Sequence, residues 1–420
     1  MSAKVSFVAL VVFLTQSLRV IAICEVDPAS EPFQVFDEMF SEILGDSPTL
    51  ELLHNSSKPA EFHEGPVYYS NGQNSYLMYT TQPPADYTDE NVEPQITIQQ
   101  YDIASDTIAT FRNASFANMP NGQSKDLDGK LLTCEQGFRD TAPGRITRTD
   151  MSTGEVEVVI DSYYGRKFNS PNDVVMKSDG TIWFTDPEYG YQQAFKPSPE
   201  IGSFLYRYDP EGPDPKLTIV ADDFERPNGL AFSPSEDYLY VSDSGAIQGS
   251  GPYRTDLPHH IRRFEVHDNK YLRNSELFAI TTECVNVAEG VMPGIPDGIK
   301  VDICGNVYVS GGDGVEVFNP DGALIGKILL GRGSPNLVFG GKYGNELYIL
   351  ADVALYRVSL KIQGAMYSDV TSPEELITKD QCPQSSSPQT SSSLSSMDTS
   401  IMFHSIQVLI SLMLGVVLTK

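Results

Sequence analysis

The chain reads as an all-β protein, a six-bladed β-propeller, and three observations predict it. Pro-Asn or Pro-Asp recurs just ahead of apolar segments, at Pro120-Asn121, Pro171-Asn172, Pro227-Asn228, Pro296-Asp297 and Pro335-Asn336. Each pair opens a similar unit: an apolar run, a turn built on Gly, Asp or Asn, and a second apolar strand. SPNDVVMKSDGTIWFTD (170–186) and RPNGLAFSPSEDYLYVSD (226–243) show it most clearly. An earlier unit, FHEGPVYYSNGQNSYLMYT (62–80), has the same hairpin with Glu64 in place of the Asn, which brings the series to six. Finally, no convincing helical pattern interrupts residues 55 to 360, whose strands are rich in Val, Ile, Tyr and Phe and broken by close-set turns. Small sheets repeated at such a period mark a propeller, whereas a sandwich would not give equivalent units.

Taken in order, residues 1–22 have a basic start, an apolar run from Val5 to Leu14 and small residues before Ala22, the pattern of a signal peptide. An N-terminal segment (23–50) follows, then the propeller (51–365). GIKVDICGNVYVS (298–310) and NLVFGGKYGNELYIL (336–350) are further inner hairpins; GRITRTDMSTGEVEVVI (144–160) and FLYRYDP (204–210) supply outer strands. GGDGVEVF (311–318) lacks a following helix and reads as a turn between strands, not a phosphate loop. The only Trp, Trp183, is expected between blades. A long insertion, GAIQGSGPYRTDLPHH (245–260), is placed to overhang the channel mouth, and its His pair is not assigned to metal. Residues 366–400 form a Ser-rich stalk, and 401–420 a short apolar tail of the kind that signals a GPI anchor, with a tail-anchor helix as the alternative.

These ends predict a secreted, cell-surface glycoprotein, with sequons at Asn55 and Asn113. Cys24, Cys134, Cys284, Cys304 and Cys382 are left after cleavage, an odd number without CxxC; Cys24 and Cys382 bracket the folded region and could staple its ends. The net charge of −27 argues against nucleic acid as a partner, and the C-terminal pattern makes a lipid anchor the expected route to the membrane.

In a propeller, equivalent positions at the start of each inner strand meet around the central channel. Glu64, Asn121, Asn172, Asn228, Asp297 and Asn336 therefore converge. Carboxylate and amide oxygens suit a hard divalent cation, Ca2+ first, with Mg2+ and Mn2+ as alternatives. The competing reading is that each Pro-Asn is a turn whose Asn caps its own backbone.

EGP (64–66), FNSPNDVV (168–175), IWFTDP (182–187), PNGLAFSP (227–234) and PDGIKVD (296–302) resemble the gluconolactonase, senescence marker protein and luciferin-regenerating enzyme family, above all its secreted fungal lactonohydrolases. The likeness spans about 60–360 and implies a six-bladed propeller. It further implies that Glu64, Asn172, Asn228 and Asp297 bind a divalent cation, often Ca2+ (Zn2+ being another candidate), and that Asp297 serves as general base in opening a sugar-acid or hydroxy-acid lactone. Asp173 is expected either to orient a ligand or to cap its turn. Asn121 and Asn336 are channel-lining candidates. Gln136 and Arg139 occupy a region where relatives often carry a His-bearing loop. Arg226 precedes Asn228 where it could reach substrate, an ordinary surface Arg being the plainer reading. A related esterase or phosphotriester hydrolase on the same cation, and a non-enzymatic tethered binding propeller, are the competing functions; a strictosidine-synthase-like activity is disfavoured by the intact Glu64, Asn172, Asn228, Asp297 set.

Overall fold

The computed structural model describes residues 31–384 except 73, 213–215, 249–253, 255, 287–289, 369 and 372, and gives backbone alone for 282–286 and 290–293. The leader, Cys24, the side chain of Cys284, the Ser-rich run and the apolar tail lie outside the described residues.

Six antiparallel sheets follow one another along the chain, each beginning with the strand nearest the axis. Blade 1 is built from Glu64–Ser70, Ser75–Thr80, Ile98–Asp102 and Thr107–Arg112; blade 2 runs from Pro120–Lys125 to Val156–Ile160 and blade 3 from Val174–Met176 to Leu217–Ala221. Blade 4 spans Pro227–Phe232 to Tyr271–Ile280, blade 5 Ile299–Val301 to Leu324–Leu329, and blade 6 Leu337–Gly340 to Ala354–Ser359. Between 55 and 360 the described helices are only Ala114–Ala117 and Tyr189–Gln192, one turn each.

The inner hairpins are almost wholly buried because both of their faces pack on neighbouring blades. Their strands therefore read as continuous apolar runs rather than strict alternation, as in Ile182–Asp186, buried throughout. Trp183 sits between blades 3 and 4, fully buried, its ring edge-on to Phe232 with centroids 5.4 Å apart. Blade 6 has three strands of its own; its fourth, Leu50–Asn55, comes from the N-terminal side of the propeller and pairs with Ala354–Ser359, Leu50 opposite Val358 and Asn55 opposite Ala354. This closes the ring and removes two free sheet edges.

Residues 33–44, ahead of the propeller, pack on it. Phe33–Val35 adds a fifth strand to blade 5, pairing with Leu324–Leu329. The helix Glu38–Leu44, capped by Asp37 accepting from the Met39 amide at 3.0 Å, buries Met39, Phe40, Ile43 and Leu44 between blades 5 and 6. Gly326 makes room: a Cβ there would collide with the Phe40 ring. On the C-terminal side the chain also folds back. Tyr367 donates to the Phe339 carbonyl at 3.0 Å, and Cys382 forms a disulfide with Cys304 in blade 5. This corrects the expected bracket of Cys24 and Cys382. Cys304 lies in the 302–306 turn, and only the docking of 360–382 on blades 5 and 6 brings Cys382 to it. Cys134 is a free, buried thiol.

Candidate active site

Each Pro-Asn position is held by its own blade and by the one before it. The Asp that ends the second strand turns back on the residues before the pair. Asp186 accepts from the amides of Asn169 (2.9 Å) and Ser170 (2.7 Å), and Asp243 from those of Glu225 (3.0 Å) and Arg226 (2.8 Å). A hydroxyl on the second strand then donates to the backbone of the following unit: Thr80 to the Asn121 carbonyl (3.1 Å), Thr185 to that of Asn228 (2.8 Å), Ser242 to that of Asp297 (2.8 Å). Four of the units follow the key residue with glycine because the next inner strand passes too close for a side chain. A Cβ on Gly229 would strike the Asp297 carbonyl, and one on Gly298 the Asn336 amide. Asn336 closes the circle by donating to the Glu64 carboxylate at 2.7 Å.

The result is a cavity of about 520 Å3 at one end of the channel, with Glu64, Asn121, Asn172, Asn228 and Asp297 among its lining residues. The Glu64 carboxyl is hydrogen-bonded to that of Asp297, which also receives the Asn228 amide. Removal from water, followed by the negative charge of Asp297, drives the Glu64 carboxyl well above the usual carboxylate range. Burial likewise raises Asp297, against the opposing hydrogen bonds from Glu64 and Asn228. Two carboxyl groups this close share a proton or share a cation. The Oδ1 atoms of Asn121 and Asn172 are buried with no protein partner, an unsatisfied state that costs about 1–3 kcal/mol per group unless a ligand relieves it. Among the described residues no group of three or more His, Cys, Asp or Glu gathers to hold a metal. A cation here must draw on amide oxygens, and this set of two carboxylates with neutral amides fits a hard divalent ion.

The other candidates divide. Gln136 lines the cavity. Asn336 does not; its amide is consumed by Glu64 and by the Leu337 amide, which it accepts at 2.8 Å. Asp173 sits where four of the other blades carry glycine and is outside the lining: one oxygen caps the Val174 amide (2.9 Å) and the other reaches the Leu230 amide (3.4 Å). Arg139 is also outside the lining. Its guanidinium donates to the carbonyls of Tyr87 and Asp89, both at 2.9 Å, and so braces the loop that forms one wall. Arg226 is no surface residue: it is 2% exposed and donates to Glu188 at 2.9 Å, beneath the helix Tyr189–Gln192. Asn55 and Asn113 are exposed. His259 bonds the Thr281 carbonyl at 3.2 Å and His260 begins a strand, so neither is in the lining.

Sequence reasoning placed the 245–260 insertion at the channel mouth, where Ile247 lines the cavity, but missed the other upper walls. His63, Gln82, Tyr189, Gln192 and Ile247 all line the cavity. Tyr189 lies 3.3 Å from the Asn228 amide nitrogen, whose proton its hydroxyl accepts. Most of these residues sit on the connections between second and third strands in blades 1, 3 and 4, residues 81–97, 187–203 and 244–259. Those gaps are visibly longer than the hairpin turns, and all leave from the channel end; their length was the available signal.

Fold and site together define a class: six-bladed propellers with a small polar cavity set on the channel axis. Within it, the chain belongs to the SMP-30/Gluconolactonase/LRE-like family, whose model matches residues 97–352. It is 31% identical over 336 residues to a gluconolactonase of Zymomonas mobilis, covering 76% of this chain and 86% of that one. Lactonohydrolase oryL of Aspergillus oryzae is 27% identical over 343 residues, covering 77% and 73%. The structure of a gluconolactonase from Xanthomonas campestris superposes with a TM-score of 0.60 at 28% identity, over 79% of this chain and 95% of that one.

Proposed function

We propose that the chain opens a lactone of a sugar acid or related hydroxy acid with water, using a divalent cation, Ca2+ by preference, held by Glu64, Asn172, Asn228 and Asp297. One observation carries this reading: two facing carboxyl groups and unpartnered amide oxygens converge in a cavity of about 520 Å3, ample for a sugar-acid lactone. The relatives named gluconolactonase and lactonohydrolase support the reaction class.

When bound, the cation would polarise the lactone carbonyl and steady the charge that develops on its oxygen. Asp297 takes a proton from the attacking water as general base. The water oxygen bonds to the acyl carbon, the ring C–O bond then breaks, and the ring oxygen takes up the proton that Asp297 removed, giving the hydroxy acid. Asn336 holds Glu64 in place, and the Tyr189 hydroxyl fixes the Asn228 amide. The Cys304–Cys382 disulfide and the exposed sequons support an oxidising, secretory location.

The test is acid release from δ-gluconolactone with and without EDTA, for wild type and Asp297→Ala. Chelation should abolish turnover and added Ca2+ restore it. Asp297→Ala should lose activity by about 10²–10⁴-fold. Full activity in EDTA would sink the metal's role; inactivity of the metal-loaded protein on a broad lactone panel would sink the reaction.

A further inference from the structure

Two inner strands break the repeat, and they break it with opposite charges. The residue after the key position is glycine in four blades but Asp173 in blade 3. The third residue after it is Val67, Ser124, Val175, Ala231 or Phe339 in five blades but Lys300 in blade 5. Neither charged residue belongs to the cavity lining.

Both nevertheless act on the carboxyl pair. Asp173 is 4% exposed, and its two oxygens take amide protons from Val174 (2.9 Å) and Leu230 (3.4 Å), partners that suit a carboxylate anion. Its negative charge is felt at both Glu64 and Asp297. Lys300 is half-buried, and its ammonium donates to the Ile299 carbonyl (2.9 Å) and to Oδ1 of Asn336 (3.4 Å) rather than to a carboxylate. Burial raises Asp173, and the positive charge of Lys300 is the largest influence opposing it. Asn336 in turn gives its amide proton to Glu64 at 2.7 Å, so the ammonium polarises the donor that holds Glu64. Glu64, Asp297 and Asp173 are three buried carboxyl groups, and Lys300 is the one ammonium acting among them. Together they leave two negative charges, the complement of one divalent ion. Asp352 also acts on Asp297, but it is exposed and bonded to His63 at 2.8 Å, where solvent screens it.

We infer that Lys300 is the built-in counter-charge of the axial site: it offsets Asp173 and so matches the site to a divalent ion rather than a trivalent one. This rests on the cation reading above, so the experiment separates the two. Calorimetry on the full chain measures binding of Ca2+ and of La3+, an ion of similar size with one more charge. The binding counted is the part absent from Asp297→Ala, which sets aside ions held elsewhere on an acidic surface. Wild type is compared with Lys300→Met, Lys300→Arg, Asp173→Asn and the double variant Lys300→Met/Asp173→Asn.

Lys300→Met should tighten both ions and raise the La3+-to-Ca2+ affinity ratio about tenfold, as expected when one unit charge is removed from a partly buried site. Asp173→Asn should move the ratio the opposite way by a similar factor, the double variant should return it to near the wild-type value, and Lys300→Arg should leave it unmoved. A merely structural role for Lys300, acting through Asn336 and Glu64, would weaken both ions together and leave the ratio where it was. A ratio unmoved or lowered in Lys300→Met, or a double variant that fails to return towards wild type, overturns the inference while Ca2+ binding by wild type keeps the cation reading standing. Wild type that binds neither ion at the Asp297-dependent site overturns the cation reading and this inference with it.

Discussion

Asp302 turns a blade 5 hairpin. Its carboxyl group accepts the amides of Cys304 and Asn306, both at 2.9 Å, the Asn306 side chain at 2.8 Å and the Tyr308 hydroxyl at 3.1 Å. Burial outweighs those bonds and pushes it up to about 7. Below about pH 4 the group is protonated folded or unfolded. Between there and about 7 the folded state binds more protons, so this group's contribution to stability is lost as pH rises through that window. Asp302→Asn should shrink the fall in Tm between pH 4.5 and 7.5 relative to wild type; an unchanged fall would show that Asp302 ionises normally. At this scale the sequence said where side chains stand but not what they touch. Asn121 and Asn336 hold equivalent repeat positions, yet Asn121 keeps a bare oxygen at the cavity while Asn336 spends its amide on Glu64. Arg226 looked like surface because nothing nearby in sequence shows that Glu188 sits against it.

The unit of construction is the inner strand with its glycine. Gly229 and Gly298 pass so near the following strand that even one methyl group has no room, and the obstacles are backbone and a ligand-supporting amide rather than flexible chain ends. Gly298→Ala should cost about 1–3 kcal/mol of overpacking and displace Asn336 from Glu64, so thermal unfolding and turnover should both suffer; a variant with wild-type Tm would show that the ring yields easily. The hairpins, their order and the convergence of Glu64, Asn172, Asn228 and Asp297 were legible because a repeat ties spacing to geometry. Of the cavity walls only the insertion at 245–260 was legible; the connections 81–97 and 187–203 share no repeat, and their course depends on contacts such as Tyr87 against Phe195, at 5.5 Å between centroids.

At the scale of the molecule, the ring is sealed at two places by chain from outside the repeats: Leu50–Asn55 on blade 6 and the Cys382 tether on blade 5. The disulfide spans a sequence separation of 78 residues, and a loop of that size is worth roughly 2–5 kcal/mol when closed. Cys382→Ser should lower Tm accordingly, and dithiothreitol should lower wild type to match while leaving the variant unmoved; equal melting of both proteins without reductant would show that the tether adds nothing. The strand seal has a consequence in time. Leu50–Asn55 leaves the ribosome early, yet its partner Ala354–Ser359 is made on the order of 300 residues later, a wait of tens of seconds at roughly 5–20 residues per second. Until then blade 6 does not exist, and an unpaired strand must be kept from other partners. Completion of this propeller is therefore an event of the last moments of synthesis, and a ribosome stalled before Ala354 would leave an open ring with both edges bare.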